Sequence, residues 1–222
     1  MPQLYAEVFA PWANGLSLKL GHFYTIMGHE MVAAPENFFY SHAYHFQYAK
    51  PLTHTGLLAE YAVGDRLKLQ AGLTRGWDTW EDNNNDLGFL GGLVWTSPSE
   101  RTSLALSVHT GPEADEPPEQ GRFRTVYSLV FNHKCTDRLT YVLQHEWGYE
   151  PRATAADPPG NWYGVNQHLI YKINPIWAAG LRLEWFRDKG GTRVLDTPQG
   201  PQRADFFELT AGLNWSPRER LF

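Results

Sequence analysis

The sequence predicts an all-β fold, an antiparallel transmembrane β-barrel, and three observations lead to this prediction. Apolar and polar residues alternate along many short segments, the connections between segments alternate between short and long, and aromatic residues gather at segment ends. Charged residues form 19% of the 222-residue chain, below the roughly 25% of ordinary globular proteins. A chain of this composition can hide its apolar side chains on one face of each strand.

Alternation with a period of two residues marks a β-strand whose two faces differ chemically. In 177–185, for example, Leu181 and Leu183 alternate with Arg182 and Glu184. Segment 87–96 is imperfect, because it is apolar on both faces and contains glycines. The pattern predicts about eleven strands, most near the ~9–11 residues that cross a bilayer at a tilt. The segments are 3–10, 16–24, 54–63, 66–75, 87–96, 102–111, 123–133, 139–149, 161–173, 177–185 and 207–215.

The connections alternate strictly in length, which is typical of outer-membrane barrels with short turns at one rim and long loops at the other. Soluble β-sandwiches follow no such rule, because neither of their ends has a special environment. The short connections are Pro11–Gly15, Gly64–Asp65, Ser97–Arg101, Lys134–Asp137, Asn174–Pro175 and Ser216–Glu219. The long ones are Thr25–Thr53, Gly76–Asp86, Pro112–Arg122, Glu150–Gly160 and Asp188–Ala204.

Aromatic residues at the strand ends predict two girdles at the membrane–water interfaces, where amphipathic rings are favoured. Their general preference for strands would explain their abundance but not their position. The apolar face is therefore predicted to meet lipid and the polar face a wet lumen. The residues are Trp12, Tyr24, Tyr61, Trp77, Trp95, Trp147, Tyr149, Trp162, Tyr163, Trp177 and Trp215.

Composition disfavours several other classes of protein. The net charge is −5 and there is no basic run, which argues against a nucleic-acid partner. Cys135 is the only cysteine, which excludes an internal disulfide framework and a multi-cysteine metal site. No apolar run approaches the ~20 residues of a membrane helix, so a membrane-spanning form must be a closed barrel. Residues 1–12 show neither the basic nor the apolar region of a signal peptide.

Alternation also predicts which charged side chains line the lumen. Acids and bases are nearly equal among them, whereas charge selectivity needs rings of one sign. No selectivity is therefore predicted. The candidate pore-lining residues are Glu60, Lys68, Glu146, Lys172, Arg182, Glu184 and Glu208, with Glu7 and Lys19 beside them.

Residues 22–54 differ from the other connections in length and in holding five of the nine histidines. A connection this long without regular structure is usually functional in a compact protein. We expect it to fold into the barrel and narrow the pore. The alternative is a packed plug or a rim loop without a role in selectivity. The candidate residues of the constriction are His22, His29, Glu30, Asn37, Ser41, His42, His45 and His54.

Motifs in and around this segment resemble the signature of the OmpL-like family of β-barrel porins. They are Gly21-His-Phe23-Tyr24-Thr25, Gly28-x-Glu30, Pro35-x-Asn37-x-Phe39-x-Ser41, Pro51-x-Thr53-His54-Thr55-Gly56, Gly76-Trp77-Asp78, the Glu81–Asp86 loop and Leu213-Asn214-Trp215-x-Pro217. The resemblance covers nearly the whole chain, and the motifs of 21–56 are its specific part. It implies an outer-membrane location and a passive pore, and it supplies no catalytic residue.

Three groups of residues are candidates for other chemistry, and each has a simpler interpretation. Imidazole and carboxylate suit zinc, a carboxylate pair suits glycoside hydrolysis, and acidic loops bind calcium. However, wet loops and lumens carry such residues in any case, and the acidic spacing is not that of an EF-hand. We therefore predict no metal, no cofactor and no enzymatic activity. The groups are His42-x-x-His45 with His29-Glu30; Glu146 with Glu184 or Glu208; and Asp78, Glu81, Asp82, Asn83–Asn85 and Asp86.

Residues 1–222 are predicted to form one domain that lets small hydrophilic solutes or ions diffuse passively across an outer membrane. Its partners would be membrane lipid and these solutes, and the oligomeric state stays open. One alternative is a soluble β-sandwich or barrel that binds carbohydrate through its aromatic residues. The other is a non-conducting barrel with a structural role at the cell surface. Leu69 and Leu183 distinguish the membrane forms, where they face lipid, from the soluble form, where they are buried.

Topology further predicts that the chain is part of a larger barrel, truncated at both ends. If the short connections are periplasmic, strand 3–10 begins outside and strand 207–215 ends inside. Bacterial single-chain barrels instead have even strand numbers, which place both termini on one side. The missing upstream part would include the signal peptide. The alternative is that Phe222 is a true terminal aromatic residue and that the first strand is misassigned.

Overall fold

The computed structural model describes residues 3–11, 15–81, 85–113, 123–151, 159–194, 196–197, 200–201 and 203–217. Most regular structure in these ranges is β-strand, and no helix in them is long and apolar enough to cross a membrane. The strands are β1 (Leu4–Ala10), β2 (Leu16–Tyr24), β3 (Thr53–Val63), β4 (Leu67–Thr74), β5 (Gly88–Thr96), β6 (Thr102–Pro112), β7 (Phe123–Lys134), β8 (Leu139–Glu150), β9 (Gly160–Lys172), β10 (Trp177–Asp188), β11 (Asp196–Thr197), β12 (Gly200–Pro201) and β13 (Ala204–Trp215).

Eleven of these strands form one antiparallel sheet that follows the order of the chain. Each strand from β1 to β10 pairs with the next, and β13 pairs with β10. The two-residue strands β11 and β12 pair with each other, apart from the main sheet. Within the described residues, β1 and β13 are the outer strands of the sheet. The prediction of about eleven antiparallel strands is therefore confirmed.

The register separates two chemically different faces of the sheet. Across β10 and β13, Leu183 pairs with Leu209, whereas the next residue, Glu184, pairs with Glu208. We name the leucine-bearing face the outer face and the opposite one the inner face. The outer face is the apolar set that alternation predicted. Its exposed leucines include Leu20, Leu57, Leu69, Leu106, Leu169, Leu183, Leu209 and Leu213.

Aromatic side chains flank the outer face at both ends of the strands. At the short-turn end, Trp177 stacks on Trp215 with ring centroids 6.2 Å apart. At the opposite end, Tyr163 meets Trp185 edge to face at 5.8 Å. This is the arrangement expected of interfacial girdles. Trp12, which belongs to the predicted set, lies outside the described residues.

The connection between β2 and β3, residues 25–52, lies against the inner face, and we name it the inner segment. It contains a 3₁₀ turn at Ala34–Glu36 and a π-helical turn at His45–Ala49. Near its start, Met27 and the partly buried Ile26 pack into the main apolar cluster of the sheet. The apolar core therefore lies between the inner segment and the sheet. The buried members of the cluster are Phe23, Met27, Leu58, Leu90 and Val126.

Glycines on the inner face leave room for the inner segment. A Cβ atom at Gly180 would lie 2.2 Å from a carbon of the Phe38 ring, and one at Gly164 would lie 2.8 Å from a carbon of the His45 ring. Gly212 of β13, the partner of Gly180 on β10, faces the same part of the segment, near the Phe38 and Phe39 rings. Side chains at these positions would collide with the inner segment, because carbon atoms in van der Waals contact stay about 3.5–4.0 Å apart.

Replacing Leu183 with Arg should lower the free energy of unfolding by roughly 2–4 kcal/mol, because a cation on the lipid-facing side near the midplane costs about that much. Leu183 lies near the middle of β10 and is exposed on the outer face. Urea unfolding in phospholipid vesicles measures the change. Leu183→Met, which keeps the site apolar, is the matched control. Equal stability of the two variants would contradict the assignment of this face to lipid.

Candidate functional site

Arg182 of β10 is the centre of the contacts between the inner segment and the sheet. Its Nη1 donates to Glu30 Oε1 (2.5 Å) and to the Ser41 carbonyl (2.7 Å). Its Nη2 donates to Glu208 Oε1 (2.5 Å) and to Ser41 Oγ (3.1 Å). The side chain is fully buried, and a buried cation needs such partners because an unpaired charge is very costly to desolvate. Arg182 therefore links two points of the inner segment to β13.

Glu184, two residues further along β10, holds the start of the π-helical turn. Its carboxylate accepts the backbone N–H groups of Tyr44 (2.7 Å) and His45 (2.8 Å) and also bonds to His45 Nδ1. The free amides at a helical N-terminus favour such an anion. Burial on its own lowers the pKa of His45, but the bond to Glu184 and the nearby charge of Glu146 outweigh burial and raise it.

Lys50, near the end of the inner segment, brings a second buried cation to the inner face. Its Nζ lies 4.7 Å from the Phe46 ring centroid and has no hydrogen-bond partner among the described residues. Desolvation lowers the pKa of Lys50, while the charges of Glu146 and Glu30 counter that shift. Glu146 Oε1 accepts from Gln144 (2.8 Å), but its Oε2 has no partner in the described part of the chain. Buried polar atoms of this kind are normally satisfied by water or a solute.

Two of the residues predicted for the constriction, His22 and His54, belong to strands, which corrects the bounds of the segment from 22–54 to 25–52. The two-residue alternation continues through both positions, so they extend β2 and β3. His22 lies on the outer side of β2, where it bonds to Thr55 (2.9 Å) and its ring lies 4.7 Å from that of Trp80. His54 faces inward and bonds to Thr25 Oγ1 (3.0 Å).

The other predicted residues of the constriction all lie in the inner segment. Glu30, Ser41 and His45 bind Arg182 or Glu184, as described above. His29 donates its backbone N–H to β8. Asn37 closes a turn by accepting from the Met31 N–H (2.8 Å) and donating to the Met31 carbonyl (2.7 Å). His42 stacks on Phe46, with 3.8 Å between ring centroids. These contacts fix the shape of the segment.

The register places all the charged candidates on the inner face, but only some of them reach the inner segment. Arg182, Glu184 and Glu208 belong to the network around the segment, and Glu146 lies beside it. Glu60 pairs instead with Lys68, at 2.6 Å, on β3 and β4. Lys172 is exposed at the short-turn end of β9. The charged candidates near the segment thus lie on β8, β10 and β13, whereas its apolar contacts include earlier strands.

Trp77 and Trp162 are not part of the interfacial girdle that the sequence predicted. Trp162 is fully buried on the inner face, and its Nε1 donates to the Ala49 carbonyl (2.9 Å). Trp77 packs edge-on against it at 6.2 Å, with Arg124 and Arg193 at 4.9 and 4.7 Å from its ring centroid. A position near a strand end is therefore not enough to predict a girdle residue: the register puts Trp162 on the inner face, and Trp77 lies in the connection after β4.

A second ionic group lies beside Trp77, at the rim of the long loops. Glu113 Oε2 accepts the Trp77 N–H (2.9 Å), and Arg124 Nη1 lies 3.9 Å from the same oxygen. Burial raises the pKa of Glu113 to about 7, and the charge of Arg124 offsets this only in part. Burial also lowers the pKa of Arg193 to about 10, and Arg193 Nε donates to the Tyr48 carbonyl (2.7 Å). The charge of this group therefore changes near neutral pH.

The residues considered for metal binding do not converge. The described ranges contain no group of three or more His, Cys, Asp or Glu side chains placed to hold a metal ion. His42 and His45 bond to different carboxylates. Asp78, the first residue of the acidic loop considered for calcium, uses its Oδ1 to accept the N–H groups at the start of β3. Residues 82–84 of that loop lie outside the described ranges.

Sequence reasoning missed three residues that contribute to the contact between the inner segment and the sheet. They are Phe38, Lys50 and Trp162, the last of which was predicted to face the membrane interface instead. The available signal was glycine on the inner face of neighbouring strands, at Gly164 and Gly180. Strand interiors normally avoid glycine unless another group approaches closely. At Gly180 an added Cβ atom would first meet the Phe38 ring of the inner segment, whereas at Gly164 it would first meet the Trp185 carbonyl of β10 and then the His45 ring.

The whole chain, residues 1–222, matches the family described as "Putative beta-barrel porin-2, OmpL-like". The chain therefore belongs to this family of outer-membrane β-barrel porins, as its motifs indicated. No curated protein and no solved structure matches the chain. Membership of a porin family means a transport-type protein in contact with outer-membrane lipid and small solutes.

Replacing Arg182 with Met should lower the free energy of unfolding by about 3–5 kcal/mol, because two carboxylates would lose their buried cation. Arg187→Met is the matched control, since Arg187 lies on the same strand but pairs with Asp205 at a more exposed site. Such exposed pairs contribute about 1 kcal/mol or less. Denaturant unfolding in micelles measures both variants. Losses of equal size would show that Arg182 is not the main link.

Replacing Glu113 with Gln should change how stability depends on pH. The folded-state pKa of about 7 lies above the unfolded value of 4.5, so the folded state favours the protonated carboxyl. The contribution of Glu113 to the free energy of unfolding is fully present below about pH 4.5 and is lost as the pH rises through 7. This loss amounts to about 3 kcal/mol. Unfolding between pH 4.5 and 7.5 should show this loss in the wild type and not in Glu113→Gln.

The matched control for this pH dependence is Glu100→Gln, at an exposed carboxyl on a short turn. It should keep the wild-type profile, because it removes a solvent-exposed side chain far from the rim group and leaves Glu113 in place. A Glu113→Gln profile identical to that of the wild type would contradict a buried, raised-pKa carboxyl at the rim.

Proposed function

We propose that this protein is a passive pore for small hydrophilic solutes and ions, and that the inner segment narrows its water-filled lumen. The proposal is carried by one observation, the anchoring of the inner segment to the polar face of the sheet through Arg182 and Glu184. A polar inner face behind an apolar outer face is the arrangement by which outer-membrane barrels pass water and solutes.

The charges around the inner segment support selection by size rather than by sign. The carboxylates of Glu30 and Glu208 bond to Arg182, and that of Glu184 bonds to the His45 ring, so acidic and basic side chains lie side by side. A ring of uncompensated charge would be needed to favour one sign of ion. The free width beside the inner segment would therefore set the size of the solutes that pass.

Deleting Glu30–Lys50 should raise single-channel conductance, because it removes the part of the segment that occupies the lumen. Tyr24 and Thr53 are paired neighbours on β2 and β3, so the residues that remain can close the connection. The buried charges of the wall would then meet lumen water and stay solvated. Recording from the full chain and the deletion in planar lipid bilayers, in potassium chloride, measures the change.

The matched control shortens another long connection by removing residues 153–157, and it should leave conductance near the wild-type value. Equal conductance in the wild type and the Glu30–Lys50 deletion would place the segment outside the conduction path. Absence of current from all three proteins, with each one folded, would favour a non-conducting structural barrel.

A further inference from the structure

A cavity of about 260 Å³ lies between the inner segment and the strands β9 and β13. Its lining includes the two imidazoles of His29 and His168, the two phenyl rings of Phe38 and Phe39, two side-chain amides, and the two carboxylates of Glu30 and Glu36. No Lys or Arg side chain is among the described residues that line it. The cavity lies next to the bonds that anchor the segment and shares one residue with them, since Glu30, a partner of Arg182, is part of its lining.

His168 is the part of this lining that points to a ligand. Its side chain is only 2% exposed, and both of its ring nitrogens lack a hydrogen-bond partner among the described residues. Its ring neighbours are His29, at 4.9 Å between centroids, and Phe39, at 6.2 Å, and neither contact is a hydrogen bond. Because buried polar groups almost always have partners, we look for the partner of His168 among molecules that could occupy the cavity it lines.

The two nitrogens of one imidazole restrict the chemistry of that partner. At pH 7.5, above the ordinary imidazole pKa of about 6.5, a histidine without an ionic partner is uncharged. An uncharged imidazole has one N–H donor and one acceptor nitrogen. A cation can satisfy only the acceptor and an anion only the donor. A ligand with several hydroxyl groups can satisfy both, because each hydroxyl donates and accepts.

The surrounding charges also disfavour an ionic ligand. Arg182 lies near the cavity, but its two terminal nitrogens already donate to Glu30, Ser41 and Glu208. Glu30 bonds to Arg182, which it shares with Glu208, whereas Glu36 is a solvent-exposed carboxylate of the lining. The two phenyl rings of the lining meet edge to face at 4.8 Å. Such rings offer apolar surface that suits the C–H groups of a sugar ring.

We propose that this cavity binds a neutral polyhydroxylated solute, a monosaccharide or a polyol of similar size, through hydroxyl groups that donate to and accept from His168. The cavity is smaller than the roughly 300–1,000 Å³ of sites for drug-sized ligands, which fits a solute of that size. The proposal rests on the proposed pore function, and it names the class of solute that this pore would hold on its way through.

Glucose is the probe, and choline chloride is the cationic comparison. Saturation-transfer difference NMR on the full chain, in a detergent without a sugar headgroup, measures binding without requiring conduction. Glucose should bind, and His168→Leu should raise its dissociation constant about tenfold, the effect of losing two ordinary hydrogen bonds. His168→Gln keeps a donor and an acceptor, so it should recover most of the affinity.

His133→Leu is the matched control and should bind glucose as the wild type does, because His133 hydrogen-bonds to Thr102 outside the cavity. A second measurement does not depend on any variant folding. In the wild-type chain, the ring-nitrogen resonances of His168 should shift when glucose is added and should stay unchanged with choline.

Absence of glucose binding, or equal binding by the wild type and His168→Leu, would overturn the proposal and leave water as the occupant. Binding of choline that Glu36→Gln abolishes would overturn it in favour of a cation site. If the protein conducts ions in either case, only the solute site is lost and the pore stands. If glucose binds through His168 but no current is seen, the site stands and the pore is lost.

Discussion

The buried guanidinium of Arg182 determines where the inner segment lies. It bonds at once to Glu30 of the segment and to Glu208 of β13, while Glu184 on the same strand holds the start of the π-helical turn. A buried cation stays stable only with its partners in place, so this pair of anchors cannot shift independently. The same anchors keep the Phe38 ring over its glycine neighbours and so define the cavity beside it.

Alternation was sufficient to predict the strands and their two faces, because the side-chain period of a strand is a local property. It placed Arg182 on the polar face, and the motifs drew attention to Glu30. Alternation could not predict that Arg182 contacts Glu30. The two residues are 152 positions apart, and residue spacing carries no information about contact over that distance. Trp162 shows a second limit: its place near a strand end fits a girdle, but the register and its bond to Ala49 put it on the inner face.

The inner segment is held by attachments of different physical kinds. Near its start, Met27 sits in an apolar cluster, which salt and pH affect little. Its middle is fixed by buried ion pairs, which solvent ions screen much less than exposed ones. Its end lies near the rim group of Glu113 and Arg193, whose carboxyl has a pKa of about 7. A change of pH that weakens the contacts of the rim group therefore need not release the middle of the inner segment from Arg182 and Glu184.

The long separation between partners has a consequence for the order of assembly. The Phe38 carbonyl accepts from Asn214, 176 residues later in the chain, and the bond of Arg182 to Glu30 spans 152. The inner segment is synthesised early, but its partners Arg182, Glu184 and Asn214 exist only once β10 and β13 have been made. Contacts that close such long loops form slowly. This aromatic-rich stretch is thus expected to reach its final position only after β10 and β13 have paired, and a holding chaperone would protect it until then.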